Sequence, residues 1–216
     1  MDCGVACSPG VASDSLPQSM CLRDVASWMC SRIGRDAVEH WALAAAPLRI
    51  GTIFSGTDVA VSSARAALSV FRGARSIDHV FSCDHNKSVR DWILSLPEKP
   101  RRLFWEADEL GCGKAYCEIA KAVVPVEPVD VLYAGFSCTS LSDNNGLRSK
   151  YRDAFAAGDL KRAGQSGKTF FALMDFVVQA SEKPHTIILE NVRGIKRGPL
   201  GRRPLDVSAY CLRRTR

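Results

Sequence analysis

A chain of 216 residues that is 46% apolar and 24% charged has enough material for a real core and reads as one domain with extra segments at its ends. No apolar run approaches the length of a membrane span, and the start Met1-Asp2-Cys3 lacks the basic region and apolar core of a secretory signal, so the reading is neither a membrane nor an exported protein. Nine cysteines, an odd count without zinc-type spacing even at Cys3/Cys7 and Cys112/Cys117, point to reduced thiols inside a cell and to no metal centre.

Residues 1–18 are rich in Ser, Gly and Pro and are expected to be disordered. From Met20 to Ala46, Leu22, Val25, Met29, Ile33, Ala37 and Trp41 recur at spacings of three and four, an apolar helical stripe that Gly34 divides and Pro47 ends. Residues 1–46 are thus an amino-terminal extension. It joins the first strand only through Pro47 and Leu48, and so short a link predicts that Val25, Met29, Ile33 and Trp41 pack against the sheet, beside that strand.

Leu48 to Phe54 reads as a first strand, followed by the turn Ser55-Gly56-Thr57-Asp58. Thr57 or Asp58 is placed to cap a helix from Val59 to Phe71, and such a strand, glycine turn and helix start make a site for a polar ligand. His79 to Cys83 is a second strand ending at Asp84, which stands where an acidic residue meets a ribose in dinucleotide folds. A helix from Lys87 to Leu96 precedes a short strand, Leu103 to Trp105, which leads to Glu106-Ala107-Asp108. A further helix is expected from Gly113 to Val123.

Val129 to Ala134 is a fourth strand, punctuated by Gly135 and followed by Phe136-Ser137-Cys138 in a loop rich in hydroxyls and amides. A cysteine just past a strand end is a candidate nucleophile, because neighbouring donors favour the thiolate. After a polar stretch come a helix from about Thr169 to Ala180 and a fifth strand, Thr186 to Leu189, with Glu190-Asn191-Val192 at its end. Alternating strands and helices, each strand leaving into polar residues, imply an α/β fold with a parallel sheet and a site along one edge. The run Gly164-Gln165-Ser166-Gly167-Lys168-Thr169 is not a phosphate-binding loop: the first glycine of that pattern would fall on Arg162, and no apolar strand precedes it. Residues 191–216 hold eight Lys/Arg against Asp206, a basic tail suited to phosphate contact or nuclear import.

Four stretches in this order resemble the cytosine-5 DNA methyltransferase family. Ile53-Phe54-Ser55-Gly56-Thr57-Asp58 resembles its cofactor turn; Asp84, with His85 beside it, and Asp108 match its ribose and adenine contacts. Ala134-Gly135-Phe136-Ser137-Cys138 with Leu141-Ser142 resembles its nucleophile loop, and Glu190-Asn191-Val192 is its Glu-Asn-Val motif unaltered. The resemblance covers about Arg49 to Ile195. It departs at Asp58 and Val59, where the family has further glycines, and at Ser137, where the family has proline.

The resemblance implies a doubly wound, mostly parallel, Rossmann-like class I methyltransferase fold, here truncated after the fifth strand. Residues 47–196 would form the incomplete methyltransferase domain and 197–216 a basic tail. It also implies S-adenosylmethionine as cofactor, bound by Phe54, Ser55, Gly56, Thr57, Asp58, Asp84, His85, Asp108 and Gly135. Cys138 would attack C6 of cytosine, which needs the thiolate of a group whose ordinary pKa is about 8.5. Glu190 would hold a proton on ring N3, its pKa raised by an apolar setting such as Ile188 and Val192, and Asn191 would orient that carboxyl.

DNA is the implied partner and the nucleus the implied location. RNA is the alternative substrate. The family's recognition region has no counterpart after Glu190, so a second chain supplying it, or a non-catalytic cofactor- and nucleic-acid-binding remnant, is the alternative function. Asp84 and Asp108 have helix capping as their alternative role.

Overall fold

The computed structural model describes residues 42–191, apart from Ala44, Ser55, Gly158, Leu160, Lys161 and the side chain of Ala156. In chain order these form β1 (Leu48–Ile53), α1 (Val59–Leu68), β2 (Ile77–Cys83), α2 (Lys87–Ser95), β3 (Arg102–Phe104), α3 (Ala107–Leu110), β4 (Lys114–Cys117) and β5 (Ala122–Pro125). They are followed by β6 (Val131–Ala134), α4 (Arg148–Ala156), α5 (Gly164–Gln179) and β7 (Thr186–Leu189). The amino-terminal helical stripe through Trp41, with Val25, Met29 and Ile33, and the basic tail lie outside the described residues. Ala42, the first described residue, packs on Leu68 and Phe71.

The seven strands make one sheet in the order β5-β4-β3-β2-β1-β6-β7. All five strands expected from the sequence are present and parallel; β4 and β5 add an antiparallel margin beyond β3. This is the α/β, mostly parallel, Rossmann-like architecture. Chain order reverses at β1, with β2 on one side and β6 on the other, and ligands bind at such a switch point.

Side-chain alternation along β1 divides the two faces. Leu48 and Ile50 meet Val61 of α1. On the other face, Ile53, Phe81, Phe104 and Leu132 form the main core with Phe170, Leu173, Met174 and Phe176 of α5. Arg49 locks β1 to the start of β6: its Nη2 and backbone N–H donate to the two carboxylate oxygens of Asp130 at 2.8 and 2.9 Å.

The helix expected from Gly113 to Val123 is instead the β4–β5 hairpin. Gly113 and Lys121 both take left-handed backbone, with φ 77° and 51°, which a continuing helix excludes. Between them burial alternates with period two: Lys114 is exposed, Ala115 buried, Tyr116 half-buried and Cys117 buried. Other elements differ too, the short helix α3 among them. The polar stretch after the cysteine loop contains α4, and α5 starts at Gly164, a turn and a half before Thr169. That first part of α5 is buried through hydroxyls, so an apolar periodicity does not register it. No helix among the described residues is long and apolar enough to cross a membrane.

Gly51 is a packing constraint. A Cβ there would stand 2.8 Å from the ring of Phe81 and 3.0 Å from Val129 Cγ1. The Phe81 ring cannot yield, since it is fully buried edge-on against Phe104 and Phe176. Gly51→Ala is therefore expected to cost about 1–3 kcal/mol of stability, read as a lower midpoint in chemical denaturation.

Candidate active site

The site is built by backbone hydrogen bonds that continue one step beyond the strands. Asp84 N–H donates to the Phe104 carbonyl at 3.3 Å, and Phe54 N–H to Cys83 at 2.8 Å. Gly135 N–H donates to Ile53 at 3.2 Å, and Glu190 N–H to Ala134 at 2.9 Å. The residues leaving β2, β1, β6 and β7 therefore stand in one row, with strands about 4.8 Å apart. Residues scattered over a hundred positions of sequence become lateral neighbours at the switch point.

The turn after β1 is strained. Phe54, Gly56 and Asp58 have φ of 55°, 61° and 56°. For the two that are not glycine this costs about 1–2 kcal/mol each. A Cβ on Gly56 would meet no atom within 4 Å, so the turn leaves open space at this point. Thr57 is exposed and Ser55 lies outside the described residues.

Asp58 stands at the amino end of α1, yet its side chain makes no capping hydrogen bond. It is 2% exposed, and its carboxylate accepts from Thr52 Oγ1 at 2.7 Å and Ser82 Oγ at 2.5 Å. The carboxylate expected to cap α1 is instead turned into the strands, where two buried hydroxyls need an acceptor.

Asp84 is buried and accepts the backbone N–H of Asn86 at 2.8 Å, and a second hydrogen bond comes from the backbone of Gly56. Burial pushes its carboxyl above the ordinary range, and these two donors offset that only in part. Asn86 caps α2, its side chain accepting the Ser88 N–H, so Asp84 is not the cap. His85 is exposed, with Nδ1 3.9 Å from Asp84 Oδ1. Asp108 is exposed inside the first turn of α3, whose N-cap position is Glu106.

Sequence reasoning missed Arg90, whose signal was a charge at an inward position of α2. It is 7% exposed, and its Nη1 donates to the carbonyls of Asp84 at 3.0 Å and His85 at 2.7 Å. Its guanidinium also lies 4.7 Å from the Trp105 ring centre and pairs with Glu118, whose carboxylate accepts from the Trp105 indole. One cation thus ties the end of β2 to the β3–β4 side.

The cysteine loop is held from below and from the side. Phe136 is buried against Phe155 and Phe170, with ring centres 6.5 and 5.2 Å away. Ser137 N–H donates to Thr169 Oγ1 at 3.1 Å, while Ser140 and Ser166 exchange backbone-to-hydroxyl bonds at 3.2 and 3.4 Å. The carbonyl of Cys138 closes the turn by accepting from Leu141 and Ser142, and Cys138 itself is half-buried. The run Gly164 to Thr169, dismissed as a phosphate loop, is thus the clamp on this turn. Gly135 has no room for a side chain: a Cβ would stand 3.0 Å from the Phe54 carbonyl and 3.3 Å from Glu190 Oε2.

Asn191 Nδ2 donates to the Phe136 carbonyl at 2.7 Å, so it braces the cysteine loop. The apolar setting expected around Glu190 is not found among the described residues: Glu190 is exposed, and Ile188 is 48% exposed. Val192 lies outside them. Directly after the cysteine loop, α4 carries Arg148, Lys150 and Arg152, a basic run that sequence reasoning left inside a polar stretch. Arg152 is fastened to the loop through the Leu141 carbonyl at 3.0 Å and the Asp143 carboxylate at 2.8 Å.

No protein-family model matches the chain. Over 185 residues it is 30% identical to the DNA (cytosine-5-)-methyltransferase DMT5 of Cryptococcus neoformans var. grubii serotype A. The chain is a relative of the cytosine-5 DNA methyltransferases. The match takes in 83% of this chain and 7% of that protein, so the chain spans a small part of its relative's length. Among the departures from that family's pattern, Ser137 in place of proline has a local account here: proline has no N–H to give Thr169.

Gly164 has φ 66°, and a Cβ on it would stand 2.4 Å from Ser140 Oγ. Gly164→Ala is expected to push the clamp apart and free the loop. Labelling of Cys138 by iodoacetamide, followed by peptide mass spectrometry, should then be faster than in the parent protein.

Proposed function

We propose that this chain carries the methyl-transfer centre of a cytosine-5 DNA methyltransferase, working through a covalent adduct between Cys138 and the base. The observation that supports it best is the lateral row Asp84, Phe54, Gly135 and Glu190, which sets the Cys138 loop between a glycine turn and a carboxylate. The kinship with DMT5 supports the same reading.

The residues present fit S-adenosylmethionine: open space at Gly56, a buried carboxylate at Asp84 and the exposed carboxylate of Asp108 follow one another along the edge. In this reading Asp84 accepts from ribose hydroxyls and Asp108 from the adenine amino group, while Phe54, Ser55, Thr57, His85 and Gly135 line the crevice. When bound, the cofactor supplies an electrophilic methyl group.

Cytosine C5 is a poor nucleophile, and Cys138 corrects this. Its thiolate bonds to C6, and the C5–C6 π pair moves onto C5. Glu190 keeps a proton on N3, so negative charge does not build up in the ring. C5 takes the methyl group, a base removes the C5 proton, the double bond returns and the Cys138–C6 bond breaks. In duplex DNA the cytosine must first leave the stack, and the exposed Lys150 of α4, next to the cysteine loop in sequence, is available to phosphates.

The protein containing these residues should trap covalently on DNA carrying 5-fluorocytosine when S-adenosylmethionine is present. Trapping by Cys138→Ser at the parent level would remove Cys138 as nucleophile. Binding without turnover is the second reading, favoured by the exposure of Glu190. It predicts cofactor affinity with no trapped adduct on DNA or RNA.

Asp84 gives a pH test. Ribose hydroxyls donate, so the ionised carboxylate is the binding form, and burial has raised its pKa above the ordinary value of about 3.9. Affinity should be full above the raised pKa and fall as pH drops through it, an acid limb that begins higher than for an ordinary aspartate. Calorimetry should show Asp84→Ala losing about tenfold at neutral pH, as expected for a hydrogen bond to a charged group worth about 1.5 kcal/mol, and losing the acid limb.

A further inference from the structure

The buried polar cluster beneath the turn after β1 has no part in the chemistry above, and its geometry is specific. β1 and β2 change register between Ile50 and Gly51: Ile50 pairs with His79, but Gly51 pairs with Phe81, so Val80 is an extra residue in β2. This bulge brings His79 and Ser82, three apart in sequence, onto the same face. Thr52 stands directly across from Ser82 on that face. Asp58 folds back under the turn and completes the group.

The group is closely knit, Thr52 Oγ1 and Ser82 Oγ also lying 3.0 Å apart. The Asp58 carboxylate only accepts, so Thr52 Oγ1 and Ser82 Oγ both donate to it, at 2.7 and 2.5 Å. With its proton given to Asp58, Ser82 Oγ accepts from His79 Nε2 at 3.0 Å. With the proton on Nε2, His79 leaves Nδ1, an atom without a hydrogen-bond partner, as a bare lone pair rather than a buried unpaired donor. All four residues are at most 4% exposed. The chain of bonds runs from mid-strand in β2, across β1, to the last residue of the turn.

We propose that Asp58 is a positioning residue that, through Thr52, Ser82 and His79, holds the strained turn from Phe54 to Asp58 in the shape that presents Gly56 to a ligand. Two non-glycine residues in left-handed backbone persist only where surroundings over-determine them. Phe54 is held by its N–H on Cys83 and by core packing. Asp58 is held by the two hydroxyls. Glycine would take the same backbone without strain but would leave the turn without this anchor. Asp84 grips the same turn through the Gly56 backbone, so two carboxylates hold it, one at Gly56 and one at its last residue.

That the ligand is S-adenosylmethionine rests on the function proposed above; the anchoring of the turn does not. The test compares the parent with Thr52→Val/Ser82→Ala, with Asp58→Gly and with the conservative Thr52→Ser. Hydrogen exchange is followed in peptides covering 54–60 and, as reference, in β6 and α5, alongside calorimetry with S-adenosylmethionine. The first two variants should lose protection in 54–60 with the reference peptides unchanged, and bind the cofactor at least tenfold more weakly. Thr52→Ser should behave as the parent.

Parent-like exchange and affinity in Asp58→Gly would overturn the proposal, because backbone freedom alone would then suffice. Protection lost equally in every peptide would also overturn it, by reducing the cluster to a general stabiliser. If the parent binds no S-adenosylmethionine, the cofactor assignment fails, while the exchange comparison still decides whether Asp58 positions the turn.

Discussion

Everything at the candidate site depends on the ladder of backbone hydrogen bonds that outlasts the strands by one residue. In a parallel sheet, a register slip of one residue would turn every side chain to the opposite face. Here the extra rungs from Asp84, Phe54, Gly135 and Glu190 carry the register out of the sheet and into four loops at once. The loops inherit their relative positions from β1, the strand at which chain order reverses. The core holds that register. Gly51 admits the Phe81 ring, and the Arg49–Asp130 pair pins the far end of the same strand to β6.

The elements that sequence pattern revealed are those whose burial is apolar. Ile53, Val80, Leu132 and Ile187 sit in short apolar runs of strand length, and the polar residues following them mark the edge that carries the candidate site. The hairpin was missed because Lys114 to Val123 contains good helix formers, and a left-handed Lys121 leaves no trace in composition. The early start of α5 was missed because Ser166 and Thr169 are buried by hydrogen bonds, which hydrophobic periodicity does not record. Asp58 shows the same limit. Its position at a helix start was visible, but its hydrogen bond with Ser82 depends on a β-bulge that sets Ser82 opposite Thr52.

The two places where the chain departs from its relatives' pattern share a physical theme. Proline before the cysteine and extra glycines in the first turn work through backbone stereochemistry alone. In this chain, hydrogen-bonded side chains stand at the same points: Ser137 gives its N–H to Thr169 and its hydroxyl meets Thr139 at 2.9 Å. Asp58 is bound by Thr52 and Ser82. Loop shape is therefore coupled to neighbouring elements, the cysteine loop to α5 and the glycine turn to β2.

The β4–β5 hairpin has a bearing on how the molecule behaves in a crowd. Val126 N–H donates to the Gly113 carbonyl, which makes the neighbouring pair Lys114 and Pro125 one whose backbone groups face away from each other. The nitrogen of Pro125 therefore points out of the sheet, where an open edge would otherwise offer a donor to a foreign strand. Proline has none to offer, and Val123 is left as the single outward donor within β5. This margin of the sheet is thus poorly suited to recruiting further strands, a protection against aggregation written into one imino acid.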